Sequence, residues 1–167
     1  MYNTVKQQLN TIDCNSDRLA LMAVLFPIAD RMSSQATSTA GLVIKAGGGV
    51  LAKTGAVAFA GVANGTPVAI AAATDMPALT GLNISAGAYN VFCFFVDSAS
   101  VVTVLQGTEG ATLAAVRFPQ FPVGKALVGY LVITYASAFT GNTTALDTAT
   151  TVYVSPVGAF DPTITLG

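Results

Sequence analysis

KAGGGVLAKTGAVAFAGVANGTPVAI, residues 45–70, admits two readings that lead to different folds. From Gly47 it runs through four residues to Ala52, Lys53 and Thr54, the outline of a phosphate-binding G-x-x-x-x-G-K-[ST] loop with alanine in place of the second glycine. Such a loop must open directly into a helix whose first N–H groups hold the phosphate. After Thr54 the chain instead reads GAVAFAG, apolar at a period of two, and then Asn64-Gly65, the two-residue hairpin signal. Gly55, Gly61, Gly65 and Pro67 leave no room for a helix to start. The stretch is therefore strand, turn and strand, with Lys53 and Thr54 expected as exposed polar positions. Asp97, which closes VFCFFVD (91–97), resembles the end of a magnesium-holding strand. It stands before Ser98-Ala99-Ser100, where an aspartate serves ordinary turn chemistry.

The same texture extends outward from residue 37. Short apolar runs are cut by Gly, Pro and Asn: GLVIKAG, PVAIAAA, AYNVFCFFVD, SVVTVLQG, KALVGYLVITY and TVYVSPVG. About eight strands without intervening helical patterns predict an all-β fold, an antiparallel β-sandwich (jelly-roll-like). Within the longest run Gly129 is expected at a bulge or a close contact. VFCFFV is apolar on both faces, so it must be covered twice: by its own sandwich, and by another sheet, a loop or a neighbouring subunit. RFPQFPVGK (117–125) is a loop held extended by its prolines. Its aromatics are read first as a plug for the end of the sandwich. The competing reading makes Arg117, Phe118 and Phe121 an exposed interaction loop.

Residues 1–36 differ in character, and the predicted division is an N-terminal arm with a short helix, 1–36, and a β-sandwich domain, 37–167. The arm holds six of the 15 charged residues. Asn15 or Ser16 is a candidate N-cap. Leu19, Met22, Ala23 and Phe26 then fall on one helical face, with Pro27 expected to end or kink the helix. An alternative 4-3-4-3 spacing, Val5-Leu9-Ile12-Ser16-Leu19-Ala23-Phe26, would be a short heptad seam.

Composition narrows the function classes. The chain has 167 residues, 53% of them hydrophobic and 9% charged, against about 25% charged in ordinary soluble domains. With 20 Thr and 28 Ala, its surface must be neutral polar or covered by other chains. Lys6, Arg18, Arg31, Lys45, Lys53, Arg117 and Lys125 are scattered, which argues against nucleic acid and against an anionic membrane. The apolar run 19–29 is too short to span a bilayer, and its acidic flanks make a poor signal peptide. Histidine is absent, so no histidine-assisted triad exists. The one glutamate, Glu109, and aspartates such as Asp75, Asp147 and Asp161 sit in turn contexts without an acid–base pair. Cys14 and Cys93 read as two reduced structural thiols. The expectation is a protein that is not an enzyme, with no catalytic residue, cofactor or metal.

Several phrases carry a resemblance: GLVIKAGGGVLAKT, AAATDMPALTG, YNVFCFFVD, GTEGATLAAVRFPQFPVGKALVGYLVI, GNTTALD and VYVSPVGAFDP. Over residues 40–162 they resemble the capsid decoration (cement) and head-fibre virion proteins of tailed bacteriophages. The resemblance implies a β-sandwich subunit in a homotrimer, made in the host cytoplasm and placed on the outer capsid surface. There it would clamp neighbouring major capsid proteins against the pressure of packaged DNA. The arm would then face the capsid, with Leu19, Met22 and Phe26 as its apolar contacts. The competing reading is a fibre or receptor-binding module, in which loops 117–124 and 140–148 hold a host-surface ligand.

Overall fold

The computed structural model describes residues 16–166. Helix α1 (Ser16–Ser33) leads into an antiparallel β fold. Its larger sheets are β1 (Gln35–Ala36), β4 (Phe59–Ala63) and β5 (Thr66–Ile70) in the order β1-β4-β5, and β7 (Tyr89–Val96), β8 (Val102–Gln106), β9 (Ala126–Thr134) and β11 (Thr150–Val154) in the order β11-β9-β7-β8. Two small ribbons join β2 (Val43–Ile44) to β3 (Ala52–Lys53) and β6 (Asn83–Ile84) to β10 (Phe139–Thr140). Four sheets of four, three, two and two strands make an antiparallel all-β fold; they do not establish the two four-stranded sheets of a jelly roll.

Stretch 45–70 folds as strands and turns. Lys45–Leu51 connects β2 to β3, closed by Lys45 N donating to Leu51 O at 2.9 Å. The backbone N–H of Gly48 does hold an anion, but it is the chain's own Asp147, at 2.6 Å. In the β4–β5 hairpin Ala63 pairs with Thr66, and Asn64 and Gly65 take φ of 50° and 74°. Two positive φ values in a two-residue loop match the right-handed twist of the flanking strands. Thr54 departs from expectation: it is fully buried, its Oγ1 donating to Ala71 O and accepting from Thr74 N, both at 2.8 Å. It ties this segment to the 71–75 turn. Val57 lies before the strand and is exposed, while Phe59 is buried.

The core forms in two layers on either side of β7. Phe92, Phe94 and Val96 point between the two large sheets, with Phe59, Leu131 and Ile133. Val91, Cys93 and Phe95 point the other way, against Val116, Phe118, Leu127 and Tyr130. The double burial of β7 is thus satisfied within one chain. Its second cover is the 107–124 connection together with Phe160 and Leu166 of the C-terminal tail. This removes β7 as an argument for a neighbouring subunit.

The arm is the region where expectation and structure differ most. The helix continues past Pro27 to Ser33. Proline lacks an N–H, so Ala23 O loses its i+4 donor, yet the turns on either side stay helical. Gln35 and Ala36 pair with Val62 and Gly61 of β4, so they belong to the sandwich and the arm ends before them. Three of the seven seam positions, Val5, Leu9 and Ile12, lie outside the described residues, as does Cys14.

Candidate functional site

The C-terminal half of α1 is fastened to the sandwich by polar contacts. Gly124 N donates to Asp30 Oδ1 at 2.9 Å, Gly65 N donates to Ser33 O at 2.9 Å, and Arg31 Nη1 stands 3.6 Å from Asp161 Oδ1. Asp161 also accepts from Thr163 N and Thr163 Oγ1. These two hydrogen bonds and then Arg31 hold its carboxyl below the usual carboxylate range. The helix is therefore clamped at its end, while its described apolar side chains from Leu19 to Ile28 stay exposed along its length. Between it and the 118–123 loop a groove of about 930 Å³ remains, with Phe26, Ala29, Phe118, Phe121, Val123 and Pro162 in its wall.

The groove brings together two sets of residues that are distant in sequence. Phe26 lines it from the helix, and Phe118 and Phe121 line it from the loop. Leu19 and Met22 lie further along α1, 65% and 45% exposed, and Arg117 is exposed outside the groove wall. The exposed-loop reading fails for Phe118. Its ring is buried, edge-on to Tyr130 and Phe160 at 5.1 Å each. Phe121 is half-buried, stacked on Phe160 at 5.9 Å and edge-on to Phe95 at 4.8 Å. These aromatics plug the second core layer because each ring finds a partner there, which is worth more than exposure. Their edges floor the groove, and Val123, 85% exposed, forms its rim.

Sequence reasoning missed the other side of α1. Leu21, Leu25, Ile28 and Met32 are 56%, 52%, 47% and 68% exposed. At 3.6 residues per turn they form a stripe about 110° round from Leu19, Met22, Phe26 and Ala29. The signal was present: 21, 25, 28 and 32 are spaced 4-3-4, a helical interval offset from the face that was read. A helix apolar on most sides is normally buried, so α1 is an unusual surface element.

Carboxylates among the described residues are occupied in turns. Asp97 Oδ1 accepts from Ala99 N and Val101 N, and Ser85 N donates to Glu109 Oε2. Asp75 pairs with Lys45, and Lys125 Nζ lies 3.9 Å from Asp97 Oδ2. Among the described residues no group of three or more Cys, Asp or Glu side chains converges as a metal site would require. No helix of the described residues is long and apolar enough to cross a membrane. The chain matches no protein-family model, no curated protein and no solved structure.

Cys93 is fully buried in the second layer, and burial pushes its thiol well above the ordinary value. Burial likewise raises Tyr130, with Cys93 adding to the effect. In a Cys14→Ser background, the remaining thiol is expected to resist iodoacetamide at pH 8 and to react once urea unfolds the chain. Because the folded value is raised, this contribution to stability is complete below the unfolded thiol's pKa of about 8.5. Above it the unfolded state loses the proton first, and stability should fall by about 1.4 kcal/mol per pH unit for this one group. Urea titrations at pH 7 and pH 10 check the sign.

Proposed function

We propose that this chain is a structural virion protein that decorates the outer surface of a tailed-phage capsid. There it cements neighbouring major capsid proteins and stabilises the DNA-filled head. The observation that carries the reading is α1: a helix whose clamps among the described residues lie at its C-terminal end, with Leu19, Met22 and Phe26 65%, 45% and 64% exposed. Cementing requires apolar area offered to several capsid subunits at once, and it requires no chemistry. The face of α1 bearing these residues and the adjoining groove supply such area, and the phrase-level resemblance over residues 40–162 points to the same class. Charge is scarce across the whole chain, so the contact would be made by shape and apolar burial, with little dependence on salt.

Co-sedimentation with expanded empty capsids tests this. Phe26→Ala is expected to weaken binding about tenfold, and Leu19→Gln with Met22→Gln to weaken it further. Point variants are the right probe because removing residues 1–36 would also remove β1 from its sheet. Unchanged capsid occupancy in both variants sinks the assignment of this face. Purified protein that binds host cells and ignores capsids would replace the reading with a receptor-binding module.

A further inference from the structure

We propose that Asn64 is a site of spontaneous chemical modification: the end of α1 holds back its conversion to aspartate and isoaspartate, and the conversion, once made, loosens that end. Asn64-Gly65 is the one Asn-Gly pair in the sequence. The turn that gives both residues positive φ also leaves both exposed to water. Glycine offers its neighbour an amide nitrogen with no side chain in the way. That nitrogen gives its proton to solvent and bonds to Asn64 Cγ. The Cγ–Nδ2 bond breaks, and Nδ2 takes a proton back and leaves as ammonia, closing a cyclic imide. Water then opens the ring and returns a proton to Gly65 N. Cleavage of the bond between Gly65 N and Cγ leaves aspartate, and cleavage at the main-chain carbonyl leaves isoaspartate. Water is the co-reactant, and nothing is oxidised or reduced.

The attacking nitrogen is itself part of the clamp. Gly65 N donates to Ser33 O at 2.9 Å and Asn64 N to Ser34 Oγ at 3.0 Å, where α1 ends. While the bond to Ser33 O stands, Gly65 N keeps its proton and the ring does not close. Attack waits for the hairpin tip to part from the helix, a local opening. The products act back on the clamp. Asn64 Cβ and Cγ lie 3.5 and 3.8 Å from where a Cβ on Gly124 would stand, and Gly124 N is the donor to Asp30 Oδ1. Aspartate at 64 therefore brings a second negative charge to the place where Gly124 holds Asp30, and like charges repel. Lys125, next on the loop, is engaged by Thr103 and Asp97. Isoaspartate adds an atom to the main chain of a two-residue loop whose flanks pair Ala63 with Thr66, so the hairpin and both bonds to α1 cannot all persist.

This chemistry is the chain's own and holds whether or not α1 meets a capsid. Peptide mapping of the full chain kept at pH 8 tests it. Acid is expected to accumulate at 64, as aspartate and isoaspartate together. Asn83, Asn90 and Asn142 should stay amides, since each precedes a β-branched residue that crowds the attacking nitrogen. Urea-unfolded chain should convert about a hundredfold faster, tenfold for each hydrogen bond that holds the hairpin tip. Ser34→Ala, which removes one of them, should convert about tenfold faster than the wild type. Protection of Cys93 from iodoacetamide, in a Cys14→Ser background, reports that this variant is folded. Asp30→Ala, which loosens the helix end from outside the hairpin, should act in the same direction. In Asn64→Asp, hydrogen exchange at Gly124 N should quicken about tenfold while the amides of β7 keep their rates. A folded chain in which 64 stays wholly amide long after its conversion is due overturns the modification. Equal rates in the folded, Ser34→Ala and unfolded chains overturn the gating by α1. Unchanged exchange at Gly124 in Asn64→Asp overturns the release.

Discussion

Phe94→Ala is expected to lower the unfolding free energy by about 3–5 kcal/mol. Phe94 is fully buried at the middle of β7, opposite Val104 of β8 and Gly129 of β9 in the ladder. Its ring points between the two large sheets, in the layer with Phe59, Phe92, Val96 and Leu131. The loss has two parts: the transfer free energy of the ring, and the cavity left behind. The cavity part should be near its upper range, since neighbours drawn from two sheets cannot close on the space without breaking ladder hydrogen bonds. Domains of this size have about 5–15 kcal/mol in total, so the variant would fold marginally. In urea the midpoint should drop while the slope with denaturant stays the same, which separates lost stability from a changed unfolded state. A loss under about 1 kcal/mol would mean that the layer is not close-packed there.

The double burial of β7 was legible because strand side chains alternate between two faces, and the run from Val91 to Val96 is apolar on both. The Asn64-Gly65 turn was legible because few residues accept positive φ, so the chemistry of the turn is written in two letters. Thr54 was not. A threonine beside a lysine reads as surface, and only the return of the chain at Ala71 and Thr74 gives its hydroxyl buried partners. The second cover of β7 was foreseen as a need but not as a segment. Phe118, Phe121 and Phe160 find one another through tertiary placement, which no local pattern encodes. The candidate site was half legible. Phe26, Phe118 and Phe121 were singled out separately, and the groove that joins them depends on Asp30 meeting Gly124, 94 residues away. Pro27 was expected to end or kink the helix; it does not end it, since helical turns on both sides can offset a propensity cost of about 3 kcal/mol.

Gly129→Ala is expected to cost about 3 kcal/mol, the upper part of the range for overpacking a closed site. The residue lies in the strand interior, and what glycine provides there is space. A Cβ would come within 2.6 Å of Val154 O and 2.7 Å of Leu42 Cδ1, with Ser155 Oγ at 3.1 Å. Leu42 can turn aside, but Val154 O is backbone of the adjoining strand, where Val154 pairs with Tyr130. The end of β11 would have to lift. Ser155 Oγ accepts from Leu42 N at 3.0 Å, so the same displacement pulls on the segment entering β2. Between Phe94 and Phe95 the β7–β9 register shifts: Phe94 faces Gly129, Phe95 faces Leu127, and Val128 is the extra residue. This bulge lets Leu127 and Tyr130 serve the second layer while Val128 and Leu131 serve the first. Thermal melting would measure the loss, and amide exchange would locate it. Faster exchange along β11 with β8 unchanged is the expected pattern. Uniform loosening of the whole sheet would show that the bulge, rather than the contact with Val154, is what the glycine maintains.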